Sequence, residues 1–365
     1  MRGIDRHRHA PTVPPLRLPG IIIHTGMVGS QVSQPHNVSE SPKVQRWHRR
    51  LVTALACLWI IDGLLQLQPS MYSRGVNGFL ANVLQYNTMG RPNPLTDLIR
   101  WSVTLTYGTA SHQVVFNTLA ALVQLGLGIA MLAKRTQNAA LLASAVWAVV
   151  PWVVGEAMGQ MLFPQASMAF VGTPGAALIY LFLSLTLLHD QAGESEPATS
   201  GGDGAPAAEG HSSHRTESSC VAEIGVAGPR FTRGAWALVW LGSAIFEIEF
   251  SNWAPNSISA QFGAAASREP GLIGSMDRLF SHLLAGHGTI VALLMAVVQA
   301  WVGAAVLRPE LRRIALGAGI VVSMIYWVAF QNFGGIFTGN ATDLNLGPVM
   351  VAFALALWPL EQAVD

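Results

Sequence analysis

The sequence predicts an all-α, polytopic membrane protein of eight transmembrane helices, arranged as two parallel four-helix repeats. Three observations carry that expectation. Hydrophobic residues make up 51% of the chain and charged residues only 11%, against about one quarter charged in soluble domains, so a lipid bilayer is the expected partner. Most of His112–Ser184 returns further along the chain, without a gap, as His287–Pro359. One constant offset pairs His112 with His287, Gln124 with Gln299, Gly128 with Gly303, Trp152 with Trp327, Gly159 with Gly334 and Gly172 with Gly347. Finally, if the N-terminus is cytoplasmic, sixteen of the 21 Lys and Arg residues fall on the cytoplasmic side of the expected spans, leaving only Arg74, Arg91, Arg100, Arg268 and Arg278 outside.

Taken in order, residues 1–45 are rich in Pro, Arg, His and Ser without apolar periodicity and read as a disordered cytoplasmic tail, with Met27 a second candidate start. The first repeat covers 46–189. Its first span runs from Leu51 to Leu67 and stops before Pro69; the mixed segment Ser70–Ser111 follows, with an interfacial helix over Leu95–Tyr107. Spans then cover Val114–Ala133, Ala139–Phe163 and Val171–Leu188, each approaching the ~20 residues that cross a bilayer. Residues 190–233 turn to Gly, Ser, Glu and Ala and read as a flexible cytoplasmic linker. The second repeat, 234–365, follows the same plan with spans at Ala235–Trp253, Ile290–Leu307, Ile314–Phe333 and Leu346–Leu360, and the segment Asn256–Gly286 between the first two. An even number of spans per half makes both halves enter from the same side, so any symmetry axis runs along the membrane normal. Nineteen arginines against two lysines point to a GC-rich bacterial genome and hence the cytoplasmic (inner) membrane, with both termini inside.

Charged residues inside spans carry the most information about function, because each is costly in lipid and normally turns toward a partner or water. Asp62 lies seven residues before Pro69 and Glu156 eight before Pro164, so both sit at a similar depth below the outer surface. Glu247 and Glu249 stand eight and six residues before Pro255, and Gln331 takes the place of Glu156 in the second repeat. An outward-facing polar chamber is expected, lined by Asp62, Gln66 and Glu156 on one side and Glu247, Glu249, Asn252, Gln331 and Asn332 on the other. Two readings are open: a site handling protons, cations or a small solute, or interhelical hydrogen bonds that hold the bundle together. Glu247 and Glu249 are two apart, so one of them at most faces the chamber.

His112 and His287 open equivalent spans at the outer interface and are candidate metal ligands, with an interfacial anchor as the alternative. Gln124 and Gln299 lie twelve residues further on, near mid-membrane, each as a helix-helix contact or a substrate contact. Met71, Met158, Met161 and Met168 would suit Cu(I), or simply pack. Gly126, Gly128, Gly155, Gly159, Gly303, Gly317 and Gly319 read as close-packing positions. A net charge of +1 offers no basic face for nucleic acid. Cys57 and Cys220 form no redox motif, and no Walker, dinucleotide, nucleophile-elbow or HExxH motif occurs.

The stretch Leu58-Trp59-Ile60-Ile61-Asp62-Gly63, followed by Gln66-Leu67-Gln68-Pro69, with one span, a long outer segment and three closely spaced spans, resembles the four-helix DoxX/DoxD-like bacterial membrane proteins. The resemblance covers roughly 50–189 and 235–360 and transfers no catalytic residue. It implies quinone-linked redox chemistry in a complex with other membrane subunits, the DoxD type being a thiosulfate:quinone oxidoreductase subunit; quinone contacts would then fall to Trp152, Trp327 and the two histidines. A fusion of two such units departs from the family plan. The leading expectation is therefore a membrane protein that binds or transports a small solute or cation. A quinone-linked subunit and a structural or assembly protein are the alternatives.

Overall fold

The computed structural model describes residues 42–75, 78–88, 93–162, 172–189, 219–248 and 253–360, all within one unit spanning 40–365. Among the described residues all regular secondary structure is helical, with two isolated β-bridges, His189 to Gly225 and Ser219 to Leu360. Four stretches are long and apolar enough to cross a membrane: Ala110–Leu132, Gln137–Gly155, Gly288–Ala305 and Arg312–Thr338.

In chain order the α-helices are α1 (Pro42–Leu65), α2 (Pro69–Tyr72), α3 (Phe79–Tyr86), α4 (Asn93–Tyr107), α5 (Ala110–Leu132), α6 (Gln137–Val150) and α7 (Ala176–Leu187). There follow α8 (Gly228–Glu247), α9 (Ser257–Ala266), α10 (Gly271–Leu283), α11 (Gly288–Ala305), α12 (Arg312–Ile325) and α13 (Leu346–Ala356). Helix α1 buries Leu51, Leu55, Leu58, Trp59 and Asp62 along one face, the i, i+4, i+7 pattern of a helix packed on one side. It ends where Gln68, extended as residues before proline are, precedes Pro69. Helix α5 starts at the Thr109 cap, whose hydroxyl accepts the His112 amide at 3.1 Å. Its buried stripe, Gln113, Asn117, Ala121, Gln124, Gly128 and Met131, lies against α1.

Close approach explains the small residues on that stripe. A Cβ on Gly128 would sit 2.6 Å from the Ala56 carbonyl oxygen, and one on Gly303 would meet Trp240 and Leu241 of α8 at 3.0 Å. Gly126 has nothing within 4 Å and Gly317 only the Trp358 ring edge at 4.0 Å, so those two glycines are not packing positions. Helices α1, α5, α6 and α7 form one group and α8, α11, α12 and α13 another, and α7 packs on α13 between them. The central contact is apolar: Ile179, Leu183, Leu187, Trp236, Val349 and Phe353 are buried in one continuous core.

Both α6 and α12 unwind at their ends. A π-turn over Pro151–Gly155 follows α6 and another over Tyr326–Phe330 follows α12. Each is closed by a 2.8 Å backbone bond, Glu156 N to Pro151 O and Gln331 N to Tyr326 O. The chain then enters left-handed conformations, at Ala157, Met158, Gly159 and Gln160 after the first turn and at Asn332, Phe333, Gly334 and Gly335 after the second. Side-chain-bearing residues rarely adopt such φ values. The Trp152 indole then donates to the Pro174 carbonyl at 2.9 Å and the Trp327 indole to that of Leu344 at 2.7 Å, in each case the residue two before the next helix.

Three expectations need adjustment. The gap-free offset does not reach the last helix. Helices α6 and α12 begin at equivalent positions, Gln137 and Arg312, but α7 and α13 begin closer together in the chain than that offset allows, at Ala176 and Leu346. Gly172 and Gly347 therefore occupy different places, because connecting loops absorb insertions that helices do not. Helix α1 begins at Pro42, inside the expected tail. The expected linker is ordered from Ser219 on: Val221 and Ala222 are fully buried, and Val226 N bonds Leu188 O at 2.7 Å. The rest of the tail and of the linker lies outside the described residues.

Candidate functional site

Helices α1, α3, α5 and α7 and the π-turn after α6 enclose a cavity of about 140 Å3, lined by Asp62, Gln66, Gln124, Glu156 and Tyr180, with Trp59, Leu80, Val83 and Leu84 at its wall. The first four are sequence-predicted site residues; Tyr180 is not among them. The Tyr180 hydroxyl donates to Asp62 Oδ2 at 2.6 Å, and its ring packs 4.6 Å from that of Trp59. The wall is fixed by a buried relay in which Trp59 Nε1 donates to Ser144 Oγ at 2.8 Å and Ser144 meets Ser184 at 2.7 Å. Glu156 stands immediately after the π-turn, and its Oε1 accepts the Ala177 amide in the first turn of α7 at 3.2 Å, a favourable end of a helix for a carboxylate.

A third carboxylate enters from the other helix group. Thr342 and Asp343, in the connection before α13, line the same cavity. Asp343 is held by the Asn345 amide at 2.6 Å and the Thr342 hydroxyl at 2.9 Å. The connection is fastened to the α1–α2 corner, where Gln68 Nε2 donates to Ala341 O at 2.9 Å and Ser70 Oγ to Gly339 O at 2.6 Å. The short motif Thr342-Asp343-Leu344-Asn345 reads in sequence as an ordinary helix-capping turn, which hides its role.

Buried oxygens converge on this cavity. Asp62 Oδ1, Gln66 Oε1, Gln124 Oε1 and Glu156 Oε2 are buried and accept no hydrogen bond from the described residues. Among the described residues the lining includes no Lys, Arg or His. Buried acceptors without donors are costly, and acceptors gathered around an open space suit a proton or a cation.

The expected partners from the second half lie elsewhere. Glu247 is fully buried and its Oε1 accepts Gln299 Nε2 at 3.2 Å; Gln299 also donates to the Tyr326 hydroxyl at 2.8 Å, which itself donates to Met295 Sδ at 3.2 Å. Gln331 lines a cavity of about 20 Å3 with Ser243, Ser323 and Tyr326, room for roughly one water. Gln124 and Gln299, expected to share one kind of partner, therefore differ: Gln299 holds an acid, whereas Gln124 faces the larger cavity. Glu249 and Asn252 lie outside the described residues.

Asn332 is buried and donates to the buried Asp277 Oδ2 of α10 at 2.9 Å, near Glu269. Burial pushes the carboxyls of Asp277 and Glu269 above their ordinary values of 3.8 and 4.5, and the charge of Asp277 raises Glu269 further. A raised folded-state value means that folding favours the protonated form. Their contribution to stability is therefore complete below 3.8 and 4.5 and declines as pH rises through the raised values. Asp277→Asn is expected to flatten the fall in thermal midpoint as pH rises above about 4; an unchanged slope in the variant would refute the assignment.

His112 and His287 are both exposed at helix starts, and His287 Nδ1 lies 2.9 Å from its own segment's Ala285 carbonyl. Among the described residues no group of three or more His, Cys, Asp or Glu side chains is arranged to hold a metal. Met71 is fully buried as core, and Met168 lies outside the described residues. Trp152 and Trp327 serve the backbone clasps above. Two further histidines carry no signal in the sequence pattern: His48 Nε2 lies 2.7 Å from Leu187 O, and its ring is 5.8 Å from that of His189. No protein-family model, no curated protein and no solved structure matches the chain.

Proposed function

We propose that this chain is an eight-span membrane protein of two related four-helix halves that binds a proton or small cation in the acidic cavity and passes it toward the outer face. The single observation behind the reading is the set Asp62, Glu156 and Asp343 lining one cavity with no basic side chain among the described residues. Carboxylates in a low-dielectric interior cannot all stay ionised and uncompensated, so each such group holds a proton or shares a cation.

Eight crossings are supported by length as well as by the four apolar stretches. Helices α1 and α8 contain 24 and 20 residues, about 36 and 30 Å at the usual rise. Their charges, among them Arg49, Arg50 and Asp62 in α1 and Arg230, Arg233 and Glu247 in α8, lower their mean hydropathy. Helices α7 and α13, with 12 and 11 residues, complete their crossings with the non-helical connections before them, backbone tolerated at that depth where protein or a cavity surrounds it. Kinship of the halves is supported by the two π-turns, whose starts at Pro151 and Tyr326 keep the offset that pairs Trp152 with Trp327, and by the matching tryptophan clasps. The arginine distribution supports cytoplasmic termini in a bacterial inner membrane.

The reading is tested in proteoliposomes carrying an internal pH dye. A K+ gradient with valinomycin, which carries the balancing charge, should drive proton movement in the wild type, and Glu156→Gln should abolish it or shift its pH dependence over roughly pH 5–8. Equal flux from wild type, Glu156→Gln and empty liposomes would end the proposal.

A further inference from the structure

The acidic cavity holds more than charge. Asp62 and Gln66 of α1, Gln124 of α5 and Glu156 after the first π-turn each keep one buried oxygen that accepts nothing from the described residues. Helix α3 lends the same cavity Leu80, Val83 and Leu84, the i, i+3 and i+4 positions of one helix face. Aromatic surface comes from Trp59 and Tyr180, whose ring centroids lie 4.6 Å apart. The volume of about 140 Å3 is close to the roughly 150 Å3 that admits benzene, whereas a single water needs only about 15 Å3.

We propose that the ligand of this cavity is a short primary alkylammonium ion. The inference rests on the proposed cation site and names the class of cation it takes. An ammonium head carries N–H donors and no acceptor, so it satisfies several of the open oxygens at once while its charge meets the carboxylates of Asp62, Glu156 and Asp343. A bare Na+ or K+ would meet that charge equally well, so size and wall chemistry decide between them. Either metal ion would leave most of the space to water, which gains no hydrogen bond from Leu80, Val83 or Leu84. A tail of about four carbons lies against those side chains instead, each buried methylene tightening binding by a factor of about four. The faces of Trp59 and Tyr180 attract a cation as well. Tetramethylammonium has the charge and the bulk but no N–H, and would leave every open oxygen unpaired.

The test is equilibrium binding of radiolabelled butylammonium to the full chain in a neutral detergent, with empty micelles as the blank, at about pH 8, where the amine stays protonated. Unlabelled butylammonium should displace the label at a concentration about tenfold below that of methylammonium, which has the same head without the tail, and also below that of K+ or tetramethylammonium. Asp62→Asn should lose the label. Leu80→Ala/Val83→Ala trims two half-buried positions. It should bring butylammonium down to the methylammonium level while leaving methylammonium itself, and the helical circular dichroism, unchanged. Retention of the label by Asp62→Asn, equal displacement by the two amines, or an unchanged ratio in the Leu80→Ala/Val83→Ala protein overturns the proposal. Stronger displacement by K+ or Na+ also overturns it, in favour of an inorganic cation. The two readings fail separately. Proton flux that still responds to Glu156→Gln in a protein that binds no butylammonium removes this inference alone, whereas no binding together with flux indifferent to Glu156→Gln removes both.

Discussion

Asp62→Asn is expected to weaken cation or proton binding on the order of a hundredfold, because removing one charge from a desolvated set costs several kcal/mol. The carboxylate is 2% exposed and tied to Tyr180 at 2.6 Å, and its second oxygen accepts nothing from the described residues. The substitution keeps size and an oxygen for the tyrosine, so the helix packing persists and the loss falls on charge alone. Tyr180→Phe should act differently, freeing Asp62 Oδ2 and altering the pH profile of binding with a smaller change in maximal occupancy. Titration of a radioactive cation against both variants checks the pair. An Asp62→Asn protein that binds as well as wild type would remove the acid from the site.

The second large effect is on stability. Gln299→Leu should destabilise the protein by about 3 kcal/mol, since it takes a hydrogen-bonding amide from the fully buried Glu247. Pairing it with Glu247→Leu should recover much of the loss, because replacing both partners of a buried polar contact is milder than replacing one. Unfolding by denaturant in detergent, followed by circular dichroism, gives the values for both single variants and the double; a double-variant loss equal to the sum of the two single losses would show that the contact contributes nothing. The comparison is informative because Gln299 joins Glu247 of α8 to Tyr326 at the π-turn, and so ties together three helices.

Much of this is legible in the sequence. The Gly128 approach to α1 and the burial of Gln124 and Gln299 follow from residue type and helical spacing, which are local properties. Asp62 and Glu156 do line one cavity, but the count back from Pro164 assumes helix through Glu156, whereas the helical turns end at Gly155 and the chain goes left-handed from Ala157. What stays hidden depends on winding or on distance along the chain. Val153 and Val154 continue an apolar run straight through the first π-turn, because hydropathy carries no record of which carbonyl an amide bonds. The short helices α3, α9 and α10 fall in segments read from the sequence only as mixed connections, although Leu272, Met276, Leu279 and Leu283 of α10 stand at helical spacing. Asp343 and Asp62 belong to opposite ends of the chain, and only folding brings the two to one cavity. Residue spacing also suggests one chamber shared by both halves; the second half instead keeps Glu247 on Gln299 and lends the first half a single acid.

Asp343 reaches the cavity on a stretch fastened through the carbonyls of Gly339 and Ala341. Every amino acid has a carbonyl, so the anchor at Ala341 makes no demand on the identity of its side chain beyond fitting a buried position. Mutational drift can run along that stretch without moving the carboxylate. Gly339, with φ at 74°, is the exception. A survey of natural variants should accordingly find the acid and that glycine fixed in an otherwise changeable run, an island of constraint that the helices on either side would never suggest.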